Sequence, residues 1–244
     1  MRQIRLYTPQ PLSQGEAISL DDVAANHLVR VLRARIGDAV TLFNGNGLDW
    51  LGTVTEVGKR AAQVEVVSSY QPDNESSLKT HLGLCLSKGE RFDWAIQKAT
   101  EMGIHQITPL FSTRVDVKLP SDRLAKRVAH WQQVVISACE QCGRAVIPHV
   151  ASPMTLSAWL AETDAEMKLV LHHHQQGILE GTAPESIALL IGPEGGLTEE
   201  EVEMAHEAHF HGLRLGPRVL RTETAPVAAL AVIGARWGDI QSSI

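Results

Sequence analysis

Apolar and polar positions alternate along much of the first third of the chain. Three segments, residues 39–43, 51–57 and 61–67, show the two-residue period of half-buried strands and are separated by glycine-containing turns. Several short strands within so few residues predict a small β-barrel. One helix is predicted before them, over residues 21–33, and five of its residues have the spacing of a single apolar face: Val23, His27, Leu28, Val31 and Leu32.

The pattern changes at residue 78 to strands that alternate with helices. Such alternation is typical of a mostly parallel sheet with helices on both faces. The predicted strands cover residues 81–87, 106–110, 168–171, 187–191 and 212–215, and the predicted helices cover residues 92–102, 123–142, 199–210 and 226–237. Residues 71–77 are polar and contain a proline, as in a linker. We therefore predict an α/β protein with two domains, over residues 1–72 and 78–244.

Two apolar runs in the last third of the chain end in glycine-rich turns, and each turn leads into a predicted helix. The first turn is Gly-Pro-Glu-Gly-Gly at residues 192–196, followed by Thr198 and Glu201 at the spacing of a capping box. The second turn begins at Gly216, and Thr224 is a candidate cap for the last helix. Neighbouring strands that end in such turns would form a crevice in which main chain can approach a flat, polar small molecule. The turns therefore predict a cofactor site.

A nucleotide phosphate site is the obvious alternative for a glycine turn before a helix. However, no Lys-Ser or Lys-Thr pair follows the glycines as in a P-loop, and the first turn lacks the G-x-G-x-x-G dinucleotide pattern. Glu194 and the three glutamates at 199–201 would also repel a phosphate. The turns favour a ligand that carries a positive charge.

Charge is distributed unevenly along the 244 residues. The net charge is −6, and the balances for residues 1–70, 71–149 and 150–244 are 0, +2 and −8. A polyanion would therefore be bound mainly by the first two thirds of the chain. Basic residues there are candidates for contacts to the backbone of such a polyanion, although a charged run is also typical of an ordinary solvated helix face. The candidates are Arg30, Arg33, Arg35, Lys88, Arg91, Lys98, Arg114, Arg123, Lys126 and Arg127.

Composition limits the remaining classes of function. A hydrophobic content of 44% is sufficient for a substantial core, and no apolar run is long enough to span a membrane or to act as a secretory leader. Three cysteines do not make a disulfide framework, so we expect a cytoplasmic protein. The histidines at 172–174 would alternate between the faces of a strand and lack further ligands at a familiar spacing, so we expect no metal.

Two groups of polar residues are candidates for chemistry. Arg218, Arg221 and Glu223 lie in the second turn, where extra charged side chains are costly unless they are paired or used. Glu140 and Arg144 lie at the end of the predicted helix over residues 123–142. Capping of a helix end at the surface is equally consistent with their residue types.

Five motifs together resemble the bacterial 16S ribosomal RNA uridine-N3 methyltransferases of the SPOUT superfamily. They are His27-Leu-Val-Arg-Val-Leu-Arg33, Gln97-Lys-Ala-Thr-Glu-Met-Gly103, Glu140-Gln-Cys-Gly-Arg144, Ile191-Gly-Pro-Glu-Gly-Gly196 and Leu215-Gly-Pro-Arg-Val-Leu-Arg-Thr-Glu-Thr-Ala225. The resemblance implies a PUA-like RNA-binding β-barrel, followed by a SPOUT-type α/β methyltransferase domain whose last helix passes through a loop to form a deep trefoil knot. It also implies a homodimer that binds S-adenosyl-L-methionine in the knotted loops.

By position, the resemblance also implies which residues contact this cofactor. They are Leu171, His172, Ile191, Gly192, Glu194, Gly195, Gly196, Leu215, Gly216, Leu220 and Thr224. The sulfonium of S-adenosyl-L-methionine is positively charged, which agrees with an acidic domain that lacks a phosphate-loop lysine. The implied partner is 16S ribosomal RNA, free or within the small ribosomal subunit.

The implied chemistry requires help from side chains, because N3 of uridine carries a proton at neutral pH. We expect Arg221 or Arg144 to hold the uracil oxygens or the developing negative charge, and Glu140 or Glu223 to assist removal of the proton. N3 lies on the Watson–Crick edge, so the target must be unpaired or swung out of a stack. Two alternatives remain open: a non-catalytic RNA-binding ribosome-assembly factor, and a SPOUT methyltransferase that acts on tRNA or on a ribose 2′-hydroxyl.

Overall fold

The computed structural model describes residues 4–58, 61–117, 120–172, 179 and 181–240. His173 and His174, from the histidine run, lie outside these residues. The chain divides into two compact units. The first contains residues 1–75 together with Cys139–Ile147, and the second contains Ser76–Ala138 and Pro148–Ile244. In the described part of the chain, no helix combines the length and the apolar character that a membrane span needs.

The first unit is built on a sheet of five strands, counted over the described residues. Their order in the sheet is β1-β3-β4-β5-β2, with β1 parallel to β3 and the other pairs antiparallel. The strands are β1 (Ile4–Tyr7), β2 (Ala17–Ser19), β3 (Ala39–Phe43), β4 (Asp49–Val57) and β5 (Ala62–Tyr70). The three predicted strands are confirmed. The short strands β1 and β2 were not predicted, because each offers too few positions to show a period.

The predicted helix over residues 21–33 is only partly confirmed. Helix α1 (Asp22–Asn26) continues as a π-helical segment over His27–Val31, and Arg33 follows in the left-handed region, with φ at 56°. The predicted apolar face is wrong for its valines, since Val23 and Val31 are 71% and 63% exposed. The prediction is confirmed for Leu28, which is buried together with Ala24 and Ala25, whose small side chains allow the helix backbone to pack closely on the sheet.

The second unit contains a parallel sheet of seven strands within the described residues. The strand order is β12-β10-β11-β6-β7-β8, and β9 also pairs with β7. The strands are β6 (Lys79–Cys85), β7 (Gln106–Phe111), β8 (His149–Val150), β9 (Met154–Thr155), β10 (Met167–Leu171), β11 (Ser186–Ile191) and β12 (His211–Leu213). The predicted α/β class with a mostly parallel sheet is therefore confirmed.

Helices cover both faces of this sheet. Residues 187–191 of the central strand β11 are all buried, which requires cover on each side because alternate side chains point in opposite directions. Helix α2 packs against α6, and α4 packs against α5. The helices are α2 (Arg91–Glu101), α3 (Ser121–Cys142), α4 (Leu156–Glu162), α5 (Glu199–Glu207) and α6 (Thr224–Trp237). Sequence reasoning found all of these except α4, which has seven residues and is too short for a clear helical period.

Trp159 on α4 covers one face of the sheet and contacts β6 directly. A Cβ atom on Gly83 would lie only 2.6 Å from the Trp159 ring, so glycine is required at this point. The Trp159 indole donates to His81 Nε2 over 3.2 Å, and Thr108 Oγ1 lies 2.8 Å from the same nitrogen. Burial lowers the pKa of His81 to about 4, so this imidazole is neutral at physiological pH.

Candidate active site

The two glycine-rich turns of the second unit line one cavity, here called the turn cleft, with a volume of about 510 Å³. Both turns follow the carboxyl ends of parallel strands, β11 and β12, where ligands bind in open α/β sheets. Most residues predicted to contact the cofactor line this cleft. They are Leu171, His172, Ile191, Gly192, Glu194, Gly195, Gly196, Leu215, Gly216 and Leu220.

The conformation of the first turn, residues 192–197, is stabilised by several hydrogen bonds. Gly196 adopts a φ of 71°, which a residue with a side chain would rarely adopt, and its N–H donates to the Pro193 carbonyl over 2.9 Å. The predicted capping box is confirmed: Thr198 Oγ1 accepts from the Glu201 N–H, and Glu201 Oε2 accepts from the Thr198 N–H. These bonds hold the turn against the start of α5.

Side chains from distant parts of the second unit bind the first turn. Arg114 donates through Nη1 to the Gly195 carbonyl at 2.9 Å and to the Leu197 carbonyl at 3.3 Å. Glu194 accepts from Arg91 Nη1 at 3.0 Å, so its carboxylate is already paired with a cation. Arg91 and Arg114, predicted as RNA-binding residues, thus line the turn cleft and hold its first turn in place.

Glu201 forms a further hydrogen bond that supports the first turn. Its carboxylate is buried, and Oε1 accepts the Thr113 N–H at 2.7 Å while Oε2 closes the capping box. The loop after β7 is thereby joined to the amino end of α5. Sequence reasoning found the capping box but missed this second bond, because Thr113 is 88 positions away in the chain.

The second turn, residues 214–223, has fewer side-chain hydrogen bonds than the first among the described residues. Gly216 has a φ of 74°, and Arg214 Nε donates to the Gly216 carbonyl at 3.3 Å. Arg218 and Arg221 are exposed, and the neighbouring Val219 is 78% exposed. Within the described part of the chain, neither Arg218 nor Arg221 forms an ion pair. Both arginines line the turn cleft.

The end of the second turn brings Glu223 to the cleft. Glu223 is half-buried and lines the cavity, whereas Thr222 beside it is buried. Thr224 is the first residue of α6 rather than its cap, and it lines a neighbouring cavity described below. The main chain of His172 donates to the Leu213 carbonyl at 3.3 Å, which joins the ends of β10 and β12 at the cleft.

The two other predicted catalytic residues, Glu140 and Arg144, lie in the first unit. Arg144 is 3% exposed and forms a two-point ion pair with Glu75, with Nη2 at 2.7 Å from Oε2 and Nε at 3.1 Å from Oε1. Glu140 Oε1 accepts the Tyr7 N–H at 3.0 Å. Both side chains therefore make structural bonds within the first unit, and neither lines the turn cleft.

The Arg144 main chain belongs to a buried polar network in the first unit. Arg5 donates to the Arg144 carbonyl at 2.8 Å and pairs with Asp49 at 2.6 Å, and Tyr70 donates to the same carboxylate at 3.2 Å. Burial raises the pKa of Asp49, while the Arg5 guanidinium acts in the opposite direction. The network joins the segment Cys139–Ile147 to the sheet of the first unit.

Several of the predicted RNA-binding residues line a second cavity, here called the basic groove, with a volume of about 510 Å³. Its lining residues are Ser87, Lys88, Gly89, Val117, Pro120, Arg123, Lys126, Arg127 and His130. Lys98 lies outside it and pairs with Glu101 at 2.7 Å. Arg30, Arg33 and Arg35 are exposed on the first unit. The groove therefore gathers positive charge in a unit whose C-terminal part is acidic.

The described residues show neither a reactive thiol nor a group of metal ligands. Burial raises the pKa of Cys85 and of Cys139 to about 12, so both thiols are neutral and weakly nucleophilic. Among the residues that the structure describes, no group of three or more His, Cys, Asp or Glu side chains has metal-binding geometry. The expectation that the chain uses no metal stays a prediction.

Comparisons with known proteins agree with this architecture. Residues 74–234 match the family model of an RNA methyltransferase domain, and residues 20–67 match that of an RNA methyltransferase PUA domain. The chain is 32% identical to ribosomal RNA small subunit methyltransferase E of Buchnera aphidicola, covering 97% of each chain. It is 31% identical to the Bacillus subtilis protein of the same name, covering 93% of each.

Solved structures extend the comparison to the cofactor. The Neisseria gonorrhoeae ribosomal RNA small subunit methyltransferase E, bound to S-adenosyl methionine, superposes with a TM-score of 0.93 at 39% identity and covers 98% of this chain and 100% of that one. A Legionella pneumophila methyltransferase in complex with the cofactor SAM gives a TM-score of 0.95 at 39% identity, with the same coverage. The fold is thus the SPOUT-type α/β fold with a PUA-like unit that the motifs implied. The chain belongs to the ribosomal RNA small subunit methyltransferase E family of RNA methyltransferases.

Proposed function

We propose that this protein methylates N3 of a uridine in the 16S ribosomal RNA of the small ribosomal subunit, with S-adenosyl-L-methionine as methyl donor. The observation that carries the proposal is the turn cleft, formed by two glycine turns at strand ends. It occurs in a chain that is 39% identical over 98% of its length to an enzyme crystallised with this cofactor. The uridine N3 position is the finer part of the proposal and rests on the five sequence motifs.

The residues of the turn cleft suit S-adenosyl-L-methionine. A volume of about 510 Å³ lies within the usual range of small-molecule sites, roughly 300–1,000 Å³. Leu171, Ile191, Leu215 and Leu220 provide apolar walls, and the positive-φ glycines leave main-chain groups open to polar contacts. When bound, the cofactor supplies an electrophilic methyl group on a sulfonium, and alignment with the nucleophile is the main requirement for transfer.

We assign the side-chain chemistry to Arg221 and Glu223. Glu223 is half-buried beside the cleft and is positioned to accept the N3 proton of the uracil. Arg221 is exposed on the second turn and can hold a uracil oxygen and the negative charge that develops on the ring. Arg144 and Glu140, the other pair predicted for these roles, are engaged with Glu75 and Tyr7 in the first unit. We therefore favour Arg221 and Glu223.

RNA would be held by the basic groove and by the exposed arginines of the first unit. Lysine and arginine side chains that meet phosphates release counterions, so binding should weaken steeply with salt. The target uridine must be unpaired when its N3 edge is presented. We further propose that the enzyme works as a homodimer in the cytoplasm, where small ribosomal subunits are made.

The test uses small ribosomal subunits that lack the modification, incubated with purified protein and radiolabelled S-adenosyl-L-methionine. Nuclease digestion followed by mass spectrometry should find 3-methyluridine at a single position. Saturable cofactor binding without transfer would point to a non-catalytic assembly factor. Methyl groups found on ribose, or transfer only to tRNA, would contradict the proposed substrate. Light scattering on the same preparation, with twice the monomer mass expected, tests the dimer.

A further inference from the structure

We propose that the target uracil ring binds in a third cavity of the second unit, stacked on Trp94. This Trp94 cavity, of about 750 Å³, is lined by Lys88, Gly89, Glu90, Arg91, Trp94, Glu223 and Thr224. The inference rests on the proposed function and deepens it, because it names the nucleotide subsite and a residue that positions the base.

The Trp94 cavity lies between the two sites already described. It shares Arg91 and Glu223 with the turn cleft and shares Lys88 and Gly89 with the basic groove. The three cavities therefore form a continuous series from the predicted methyl-donor site to the predicted phosphate-binding surface. A nucleotide has the same order of parts, since the reactive base edge and the backbone phosphate lie at opposite ends.

Trp94 offers an aromatic surface that is open to solvent. It is 43% exposed, the highest value among the chain's five tryptophans, all of which the structure describes. The helix α2 that carries it is anchored by the buried side chains of Phe92 and Ile96 on its opposite face. Stacking of bases on such aromatic side chains is the usual way in which single-stranded RNA is held, and every base offers a π-face. A fixed helix positions the ring with little loss of entropy on binding.

The charges around the Trp94 cavity suit a neutral ring better than a phosphate. The lining contains two cations, Lys88 and Arg91, and two carboxylates, Glu90 and Glu223. Lys88 is paired with Asp116 at 2.7 Å and Arg91 with Glu194 at 3.0 Å, so both positive charges already have partners. Uracil is uncharged at neutral pH and fits this balance.

The basic groove has the opposite character. Arg123 and Lys126 line it and form no ion pair among the described residues, whereas Lys88 and Arg127, which also line it, pair with Asp116 and Asp93 outside the lining. Phosphates are the groups that such a surface attracts, and they position the nucleic acid without reading its sequence. We therefore place the phosphates that flank the target uridine in the groove and the uracil beside Trp94.

Glu223 supports the same arrangement, because it lines both the Trp94 cavity and the turn cleft. A base stacked on Trp94 would lie next to the proposed proton acceptor and next to the cleft that holds the methyl donor. Trp94 acts here as a positioning residue for the base, and it takes no part in proton or methyl transfer.

The test compares Trp94→Phe, which keeps a ring, with Trp94→Leu and Trp94→Gln, which do not. Met204→Ala is the control, because Met204 is an exposed apolar helix residue of the same unit that lines none of the three cavities. Methyl transfer to unmodified small ribosomal subunits, cofactor affinity by calorimetry and melting temperature are measured for each. Loss of the stacking ring should lower kcat/KM for the subunits by roughly 5- to 150-fold. Trp94→Phe should remain within about threefold of the wild type.

Unchanged cofactor affinity in all variants, together with the loss in Trp94→Leu and Trp94→Gln alone, would support the subsite. Wild-type turnover in both non-aromatic variants would overturn it. So would an equal loss of cofactor affinity, because Trp94 would then serve the turn cleft. If the wild-type protein itself forms no 3-methyluridine, the proposed function fails and the inference fails with it. A wild type that forms 3-methyluridine, with active Trp94 variants, removes the inference alone.

Discussion

The two glycine turns both contain a Gly-Pro pair, but the side chains that hold them differ greatly in number. The first is bound from three directions: Arg114 donates to two of its carbonyls, Arg91 pairs with Glu194, and the Thr198–Glu201 capping box closes its end. The second has an exposed valine and two exposed arginines at its centre, and a local side-chain hydrogen bond joins Arg214 to the Gly216 carbonyl.

This difference indicates a division of labour between the turns. A turn held by distant side chains keeps its shape before any ligand arrives and so reduces the entropy lost on binding. A turn with exposed arginines can adapt to a large substrate and can close over it. We infer that the first turn mainly binds the cofactor and that the second mainly serves the reaction with RNA. Four predictions test this comparison.

The largest effect is expected from Arg221→Ala in the second turn. Loss of a group that stabilises developing negative charge should lower kcat by about 100- to 1,000-fold. Cofactor affinity should change little, because the first turn is intact. Single-turnover methylation and calorimetry measure the two quantities. Arg236→Ala, an exposed arginine of α6 away from the cleft, is the matched control. Near-normal turnover of Arg221→Ala would remove this residue from the chemistry.

The second prediction concerns the pH dependence of the free energy of unfolding. His81 lies on β6 and pairs in register with Ala188 on β11, the strand that leads into the first turn. The folded pKa of His81, about 4, is below the ordinary value of 6.5, so the unfolded chain binds the proton more readily. Stability is therefore complete above pH 6.5 and decreases as the pH falls from 6.5 towards 4. Between pH 7 and pH 5 the loss should be about 2 kcal/mol.

Urea unfolding of the wild type and of His81→Gln at both pH values measures this effect. The variant should be less stable at pH 7, but it should lose about 2 kcal/mol less than the wild type on acidification. The same pH dependence in both proteins would show that His81 is not the group responsible. Other histidines and carboxylates cancel in the comparison, because both proteins contain them.

A smaller effect is expected from Arg114→Ala, which removes two hydrogen bonds to the first turn. Because Arg114 is exposed, the loss should be limited, with about tenfold weaker cofactor binding. At saturating cofactor, kcat should remain close to the wild-type value. A fall in kcat with unchanged cofactor affinity would reverse the roles that we assign to the two turns. Arg236→Ala again provides the control.

The smallest effect is expected from Thr198→Ala, which removes one half of the capping box. Such a change should lower the free energy of unfolding by about 1 kcal/mol, and Thr198→Ser should restore most of it. Thermal unfolding with and without cofactor measures both. Equal melting temperatures for the wild type and Thr198→Ala would show that the turn is held by the distant side chains alone.

Much of this architecture could be predicted from the sequence. Strands β3 to β5, most helices of the second unit and the two turns have local signals, because alternation, periodicity, capping residues and glycines act over a few positions. The helix over residues 21–33 shows the limit of this approach. Its valines fit an apolar face by spacing, yet Ala24 and Ala25 are buried beside the correctly predicted Leu28, and the valines are exposed. Which of two possible faces is buried depends on the shape of the surface opposite.

The candidate active site shows the same limit of prediction from local sequence patterns. Leu171, the glycines and Arg221 were found because they lie in the motifs themselves. The contacts of Arg91 and Arg114 with the first turn were not predicted, since the groups that they bind lie 103 and 81 positions away in the chain. The bonds of Glu140 and Arg144 to the first unit were equally hidden. No local pattern reports a partner at such a distance.

The amino-acid sequence alone determined the α/β class, the small N-terminal β unit, the positions of the two turns and the acidic character of the region that contains them. These properties follow from interactions between neighbours along the chain. Only the tertiary structure decided which turn is held rigidly, which arginines bind main chain, and that Trp94 and Glu223 line one cavity. Those properties depend on packing between elements that are distant in sequence, where shape and desolvation select one arrangement from several that the local pattern permits.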